Sequence, residues 1–460
     1  MTEVVSLDGR RFRAQIPVSL GIQLGDLVVL RGDDHELLGQ LDALRLTKAQ
    51  DDPIVAEGDI VGAFGADGQL RRGLGSPFVG GTVERAGREE LARLQSAAGA
   101  TVPVASVPVA DGDAPIQVRP RAFNRHTFLC GQSGSGKTYT LGVFLEQLLL
   151  QTRLRIVVID PNGDFVRLGE QREDAPHDEA AGLASQKVTV LRSRDLGGEL
   201  PLLVKFPDLQ ASAQAAVMRL DPVLDREEYG EVLRYEQEAA DGAPLSLERL
   251  RGPGDTPEQE RLHQRLRNLG VLDWQVWARG GTPATEVIDG DQRATVLDLS
   301  GFTEPGEATT AALATLDHLW QTRHERRPTL IVIDEAHNIC SAKPDSPVQA
   351  RATERLIQIA AEGRKYGLWL LLSTQRPSKI HPNVLSQCDN LVLMRMNSPN
   401  DISDLGSVFG FAPREMVAAS PRFAMGEVLL AGMFVPVPAL ARTRTRLTPE
   451  GGADVAVPLP

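Results

Sequence analysis

The stretch HTFLCGQSGSGKTYTLGVFLEQLLL, residues 126–150, passes from a short apolar run through a glycine-rich loop into a long apolar segment. Its spacing is that of a phosphate-binding loop, G-x-x-x-x-G-K-[ST], with Gly131, Gly136, Lys137 and Thr138 at the defining positions and Gly134 between them. Glycines lack a Cβ, so consecutive N–H groups can turn inward around an anion. The helix that follows presents its partly positive N-terminus to the same anion. The candidate nucleotide-binding set is Gly131, Ser133, Gly134, Ser135, Gly136, Lys137, Thr138 and Tyr139. Lys137 is placed to reach the β- and γ-phosphates of ATP, and the Thr138 hydroxyl to ligate Mg²⁺. A surface loop that fits the pattern by chance has no need of a strand before it and a helix after it. "TFLC" and "TLGVFLEQLLL" supply both.

Working outward, TLIVIDEAHN (residues 329–338) ends an apolar run in Asp334 and Glu335. Two carboxylates at the C-terminal end of a buried strand stand where open α/β sheets bind ligands. Downstream of a phosphate loop, Asp334 is read as a Mg²⁺ residue and Glu335 as the general base that polarises water. Taken alone, the pair also fits a cap on the next helix. LWLLLSTQRPS (residues 368–378) repeats the pattern with Thr374 and Gln375 at the strand end. Gln375 is read as a sensor of the γ-phosphate, against an ordinary strand-to-loop turn. In RLIQIAAEGRKYG (residues 355–367), Arg364 and Lys365 close a helix, either as partners of its dipole or, for Arg364, as an arginine finger for a neighbouring subunit. In IDPNGDF (residues 159–165), Asp160 and Asp164 either join the Mg²⁺ shell or form an Asx-turn, and alone they read as structural. Lys379 and His381, beyond the sensor strand, are pore-loop candidates or a solvated turn.

The whole chain bounds these readings. Its 460 residues exceed one core, so two or three domains are expected. At 42% hydrophobic and 24% charged residues it has the composition of a soluble globular protein. It has no apolar run of transmembrane length, and its start lacks a signal-peptide apolar region, so a cytoplasmic location without membrane association is expected. Cys130, Cys340 and Cys388 show no metal-binding or disulfide spacing and read as small buried residues. A net charge of -12 excludes a surface that grips nucleic acid all over, but leaves room for a local basic channel.

Residues 1–105 carry short alternating runs such as RRFRAQIP and DLVVLRGD, separated by Gly, Asp and Pro, and are expected to form a small N-terminal β-barrel. From there the rhythm becomes strand and helix in alternation, the pattern of an α/β domain with a parallel core sheet. The first part of this ATPase domain is placed at residues 106–179 and the second at 291–440. Between them, residues 180–290 are rich in Ala, Leu, Glu, Arg and Gln at helical spacing and read as a helical insertion. Residues 441–460 read as an extended tail.

Together, RHTFLCGQSGSGKTYT, IDPNGDF, VLDLSGF, LIVIDEAHN and AEGRKYGLWLLLSTQRPSKIHPNVLSQCDNLVLMRM resemble the HerA branch of the HerA/FtsK superfamily of ring-forming DNA translocases. The resemblance implies an α/β fold: a RecA-like P-loop ATPase domain with a helical insertion, preceded by a HAS-type β-barrel. It further implies a homohexamer with ATP and Mg²⁺ between subunits, double-stranded DNA in the bore, and a nuclease or other effector protein docked on the ring. Carried over by position, Lys137 and Thr138 are the P-loop pair, Asp334 and Glu335 the Walker B pair, Gln375 the sensor and Arg364 the finger acting in trans. The segment around ARTRTRL would brace the neighbouring subunit's nucleotide. The turn ending Gly163-Asp164-Phe165 departs from the family's usual Gly-Glu-Tyr. Two rival functions stay open: an ATPase scaffold that regulates a partner enzyme, and a secretion or conjugation motor. The latter commonly carries membrane segments.

Overall fold

The computed structural model describes residues 4–32, 35–45, 54–65, 67–73, 75–198, 200–240 and 247–452. The chain divides into two units, Met1–Thr152 with Cys388–Arg446, and Arg153–Gln387 with Leu447–Pro460. The fold is mixed α/β, an antiparallel half-barrel followed by an ATPase domain of mainly parallel sheet.

In the first unit, the N-terminal strands are all antiparallel. They run in the order Phe78–Val79, Val4–Ser6, Arg11–Ile16, Ile54–Phe64, Glu36–Arg45, Leu27–Arg31, Thr82–Arg85. Arg11–Ile16 shows why: Phe12, Ala14 and Ile16 are buried while Arg11, Arg13 and Gln15 face water, a period-2 alternation that pays one face to the core. Phe12 lies over Gly39 and Gly58, where an added Cβ would meet its Cε1 at 2.6 and 2.8 Å. The neighbouring long strands bulge at Leu38/Gly39 and Leu41/Ala43, which adds the twist that curls the sheet. The two end strands are consecutive in sequence, joined through Gly80 and Gly81, both at positive φ.

The same unit holds a second set of strands in the order Gly112–Val118, Val102–Val109, Ala439–Thr443, Glu427–Gly432, Cys388–Leu393, His126–Cys130. His126–Cys130 pairs in parallel with Cys388–Leu393, and the others are antiparallel. The expected boundary at residue 105 therefore falls inside a strand. Val102–Val109 pairs with Ala439–Thr443, so its residues belong with the ATPase strands and not with the half-barrel. Cys130, Cys340 and Cys388 are all buried and in no disulfide among the described residues, and burial pushes Cys340 up to about 12.

The second unit is built on strands in the order Leu368–Thr374, Thr329–Ile333, Arg155–Asp160, Ala294–Asp298, Val188–Arg192, Leu200–Pro201, every pairing parallel. Thr329–Ile333 and Ala294–Asp298 are buried along their whole length, as strands covered on both faces must be. Val188–Arg192 lies in the segment expected to be a helical insertion, yet it pairs with Ala294–Asp298 and is a sheet strand. The helices of the insertion, Ala211–Val217, Arg226–Ala240, Leu247–Arg251 and Pro257–Leu269, follow later. The expected tail is also different. Residues Ala439–Thr443 form a strand, Arg446, Leu447 and Thr448 are buried, and the Gly451 N–H donates to the Asp164 carbonyl at 3.0 Å. Residues 453–460 of that segment lie outside the described residues. No helix among the described residues is long and apolar enough to cross a membrane.

Candidate nucleotide site

The P-loop strand His126–Cys130 is buried throughout and delivers Gly131 to its C-terminal end. The loop is held through its own carbonyls, two of them bonded from outside it and one within it. Arg395 Nη2 donates to the Gly134 carbonyl at 3.0 Å, the Gly426 N–H to that of Ser135 at 3.0 Å, and the Ser135 N–H to that of Gln132 at 3.2 Å. Gly134 (φ +71°) and Gly136 (φ +91°) take the left-handed turns this path needs. A Cβ on Gly131 would meet Ser135 Oγ at 2.7 Å and Met394 Cβ at 2.8 Å. Turns of this kind suit an anion nest, and here the N–H groups of Gln132 and Ser135 are bonded to the carbonyls of Arg395 and Gln132. Lys137 opens the helix Lys137–Gln151 and is 5% exposed, Thr138 is half-buried, and Ser133 is exposed. Ser135 Oγ is buried with no hydrogen-bond partner among the described residues, so the cradle has both the shape and an uncommitted donor for a phosphate oxygen.

Tyr139 and the C-terminal segment meet on this helix. Tyr139 Oη accepts the Arg446 N–H at 2.7 Å, and the Thr140 and Thr443 hydroxyls lie 2.9 Å apart. Arg446 is fully buried, 3.6 Å from the equally buried Glu146. Of the arginines in ARTRTRL, Arg446 is thus committed within its own chain, while Arg442 is exposed and Arg444 half-buried.

In the second unit, Asp334 and Glu335 follow the strand Thr329–Ile333. Asp334 is fully buried, and Ser373 Oγ donates to its Oδ1 at 2.7 Å. Glu335 is 6% exposed and adopts φ +41°, a left-handed conformation that costs a non-glycine residue about 1–3 kcal/mol and is held only where surroundings enforce it. Here they do. Gln375 Nε2 donates to Glu335 Oε1 at 2.7 Å, and His337 Nδ1 lies 3.3 Å from Glu335 Oε2 and 3.0 Å from Thr374 Oγ1. Gln375 is itself exposed, while Ser373 and Thr374 are buried at the strand end.

Asp160 ends the neighbouring strand, Arg155–Asp160. Its carboxylate accepts N–H groups from Asn162, Gly163, Asp164 and Phe165 at 2.8–3.3 Å, which is the Asx-type turn expected from IDPNGDF. Ligand atoms of Asp160, Asp164 and Asp334 also lie within 4.8 Å of one another. Burial pushes Asp160 up to about 7 against the backbone N–H groups of Phe165 and Asp164, and the negative charges of Asp334 and Asp164 push the same way. Crowded, buried carboxylate oxygens are a hard donor set that a divalent cation such as Mg²⁺ fits, and its charge relieves their repulsion.

Arg364 sits in the single turn Gly363–Tyr366 after the helix Pro347–Glu362 and is exposed, with Lys365 beside it. Lys379 is exposed, and His381 caps the short helix Pro382–Leu385 through Nδ1, so the turn after the sensor strand is an ordered cap. Two contributors were not singled out from sequence, Ser373 and His337, whereas Asp160 and Asp164, weighed there for the Mg²⁺ shell, stand beside Asp334. Ser373 carried a signal, the first of two hydroxyl residues closing the run LWLLL. His337 stands two residues after Glu335, a spacing that a strand or helix would each aim differently. Only the left-handed turn at Glu335 brings it back.

The family model of the HerA helicase central domain matches residues 106–235, and that of the AAA family of ATPases matches residues 284–396. A DNA double-strand break repair helicase HerA of Sulfurisphaera tokodaii is 23% identical over 396 residues, covering 82% of this chain and 75% of that protein. A probable helicase of Methanocaldococcus jannaschii is 30% identical over 138 residues, covering 30% of this chain and 26% of its own length. The chain thus spans about a quarter of the first such archaeal relatives it matches. Among solved structures, VirB4 of Thermoanaerobacter pseudethanolicus superposes with a TM-score of 0.50 at 14% identity, over 75% of this chain and 96% of that one. A bacterial conjugative coupling protein, TrwBdeltaN70, gives 0.51 at 14% identity over 79% and 94%. At such identity these likenesses speak to the fold alone.

Proposed function

We propose that this chain, which belongs to the HerA helicase family, is an ATP-hydrolysing motor that moves double-stranded DNA through a homohexameric ring. The observation that carries the reading is the arrangement at the ends of Thr329–Ile333 and Leu368–Thr374. A buried Asp334 is held by Ser373 and a buried Glu335 is held by Gln375, in a chain that also has an intact phosphate cradle. Lys137 binds the phosphates and offsets charge developing on them, and Thr138 and Asp334 hold Mg²⁺, joined by Asp160 and Asp164. Bound Mg²⁺ supplies the positive charge that screens the phosphates from an incoming water. Glu335 removes a proton from that water, and Gln375 orients both. Arg364, exposed at its helix end, serves the site of the neighbouring subunit.

Grip on DNA is through phosphates and indifferent to base sequence, as a motor requires. A nuclease or other effector protein docks on the ring, in DNA end processing or defence against phage. The test is ATP turnover with and without double-stranded DNA, for the wild type, Lys137→Ala and Glu335→Gln. DNA should stimulate the wild type. Lys137→Ala should lose turnover, and Glu335→Gln should bind ATP without hydrolysing it. Turnover in Glu335→Gln at the wild-type rate refutes the assignment of the base. Turnover that DNA leaves unchanged favours an ATPase scaffold regulating a partner enzyme over a translocase.

A further inference from the structure

Arg364 and Gln375 stand at opposite ends of one strand. Leu368–Thr374 begins just after the turn that carries Arg364, ends just before Gln375, and runs parallel to Thr329–Ile333, whose C-terminal end delivers Asp334 and Glu335. At about 3.3 Å per residue, its 7 residues set the finger turn roughly 23 Å along the strand axis from the edge that holds the base. A finger so placed can serve only a neighbouring copy. What its own chain controls is how the turn is held. Gly363–Tyr366 is a single 3₁₀ turn, in which successive side chains are rotated by about 120°, so Arg364 and Tyr366 leave it on different faces. Arg364 is exposed and Tyr366 half-buried. The Tyr366 ring meets the buried Trp320 edge-on, centroids 5.9 Å apart at 84°, and the His324 ring at 5.3 Å and 77°. Arg323 lies over two of these rings, its Cζ 4.4 Å from the Trp320 centroid and 5.4 Å from that of Tyr366, and its Nη1 donates to the Trp320 carbonyl at 2.7 Å. Edge-to-face rings and a cation over a ring face are directional contacts, so they fix an orientation as well as a position. Just beyond the turn, the Gly367 carbonyl accepts the Thr329 N–H at 2.8 Å, which ties it to the start of the strand that leads to Asp334.

We propose that Tyr366 is a positioning residue that acts across the subunit boundary: its ring, packed on Trp320 and His324 beneath Arg323, fixes the turn so that Arg364 leaves it toward the phosphates bound by the neighbouring copy. This rests on Arg364 acting as a finger in trans. A cation that offsets charge developing on a transferring phosphoryl group is effective when it is already in place, and a seated turn supplies that preorganisation. The contacts are made by the ring, so phenylalanine preserves them and leucine does not.

The test measures steady-state ATP turnover of the full-length wild type, Tyr366→Phe, Tyr366→Leu, Arg364→Ala and Glu335→Gln, and of pairwise mixed rings whose composition is confirmed by mass measurement, with binding of a fluorescent N-methylanthraniloyl ATP read on each. In Tyr366→Leu, kcat should fall about tenfold to a hundredfold, the scale of misplacing a reacting group, while KM and analogue binding stay within about twofold of the wild type. Tyr366→Phe should keep most of the rate. Mixing then assigns the side of the interface. A defect that acts through Arg364 belongs to the subunit lending the finger, so Tyr366→Leu mixed with Glu335→Gln should regain activity at interfaces that pair an intact base with an intact finger. Tyr366→Leu mixed with Arg364→Ala should gain nothing, since every finger in that ring is impaired. The reverse pattern marks a residue that serves its own subunit's site and overturns the proposal. So does a gain in neither mixture, a kcat in Tyr366→Leu within about twofold of the wild type, or a Tyr366→Phe no better than Tyr366→Leu. If Tyr366→Leu does not fold, Arg323→Met, which removes the cation over the rings, goes through the same two mixtures and decides. Glu335→Gln mixed with Arg364→Ala separates the two levels: if that pair regains nothing, the finger in trans has failed and the positioning role with it, and if it regains activity while the Tyr366 mixtures depart from the expected pattern, only the positioning role has failed.

Discussion

Replacing Arg446 with methionine should strip the P-loop helix of a charge it was built around. Arg446 and Glu146 are both fully buried, their charged atoms 3.6 Å apart, and the arginine lies across Gly142, where a Cβ would sit 2.4 Å from its Nε. That explains a glycine in the middle of a helix, a position where it costs about 0.5–1 kcal/mol relative to alanine. Methionine keeps much of the volume but removes the counter-charge of Glu146. Removing one partner of a buried ion pair costs about 3–5 kcal/mol, because the remaining charge has lost its compensation away from water. In a unit of about 150–250 residues each kcal/mol is worth about 2–4 °C, so Arg446→Met should lower the melting temperature of the unit containing it by about 6–20 °C. Circular-dichroism melting reads this directly, and a urea midpoint shift at unchanged slope separates stability from a change of denatured state. Adding Glu146→Leu should recover most of the loss, since apolar replacement of a whole buried pair is close to neutral. A melting temperature within about 2 °C of the wild type in Arg446→Met would refute the reasoning, because a buried carboxylate cannot lose its partner at so small a cost.

Ser373→Ala removes the hydroxyl that fixes Asp334 Oδ1 and should weaken Mg²⁺ dependence of turnover about 10–100-fold, read by Mg²⁺ titration at saturating ATP; an unchanged titration would place Asp334 outside the metal shell. Separately inactive Glu335→Gln and Arg364→Ala proteins, mixed and reassembled, should regain part of the ATPase activity at interfaces that pair an intact base with an intact finger; background activity in rings that mass measurement shows to be mixed would remove the support for a finger in trans. DNA binding should fall steeply with salt and show no preference among duplex sequences, measured by fluorescence anisotropy; tight binding to a single sequence at high salt would contradict a motor.

The parts of the site that a sequence can announce are those made by neighbours along the chain. A phosphate cradle is a run of N–H groups on one turn, so the spacing of Gly131, Gly134, Gly136, Lys137 and Thr138 announces a glycine-rich turn between a strand and a helix, and such a turn joins His126–Cys130 to Lys137–Gln151. The apolar runs that lead into Asp334 and into Ser373, Thr374 and Gln375 located two strand ends for the same reason: a strand covered on both faces is mostly apolar, and the polar residues that close the run mark its C-terminal end. What required the tertiary structure was every contact between distant segments. The run VTVLR at residues 188–192 is too short to declare itself among helical neighbours, and only its ladder with Ala294–Asp298 makes it a sheet strand. IDPNGDF could be read as a turn, but whether Asp160 and Asp164 stand beside Asp334 depends on the alignment of two parallel strands more than a hundred and fifty residues apart. The C-terminal segment, rich in Pro and Gly, reads as an extended tail. Arg446 is instead buried, because Gly142 leaves room for it and Glu146 supplies the charge that burial demands, and neither condition is visible from the residues around position 446. Local geometry follows from local sequence, whereas burial, counter-charge and ladder partners are set by which surfaces the whole chain brings together.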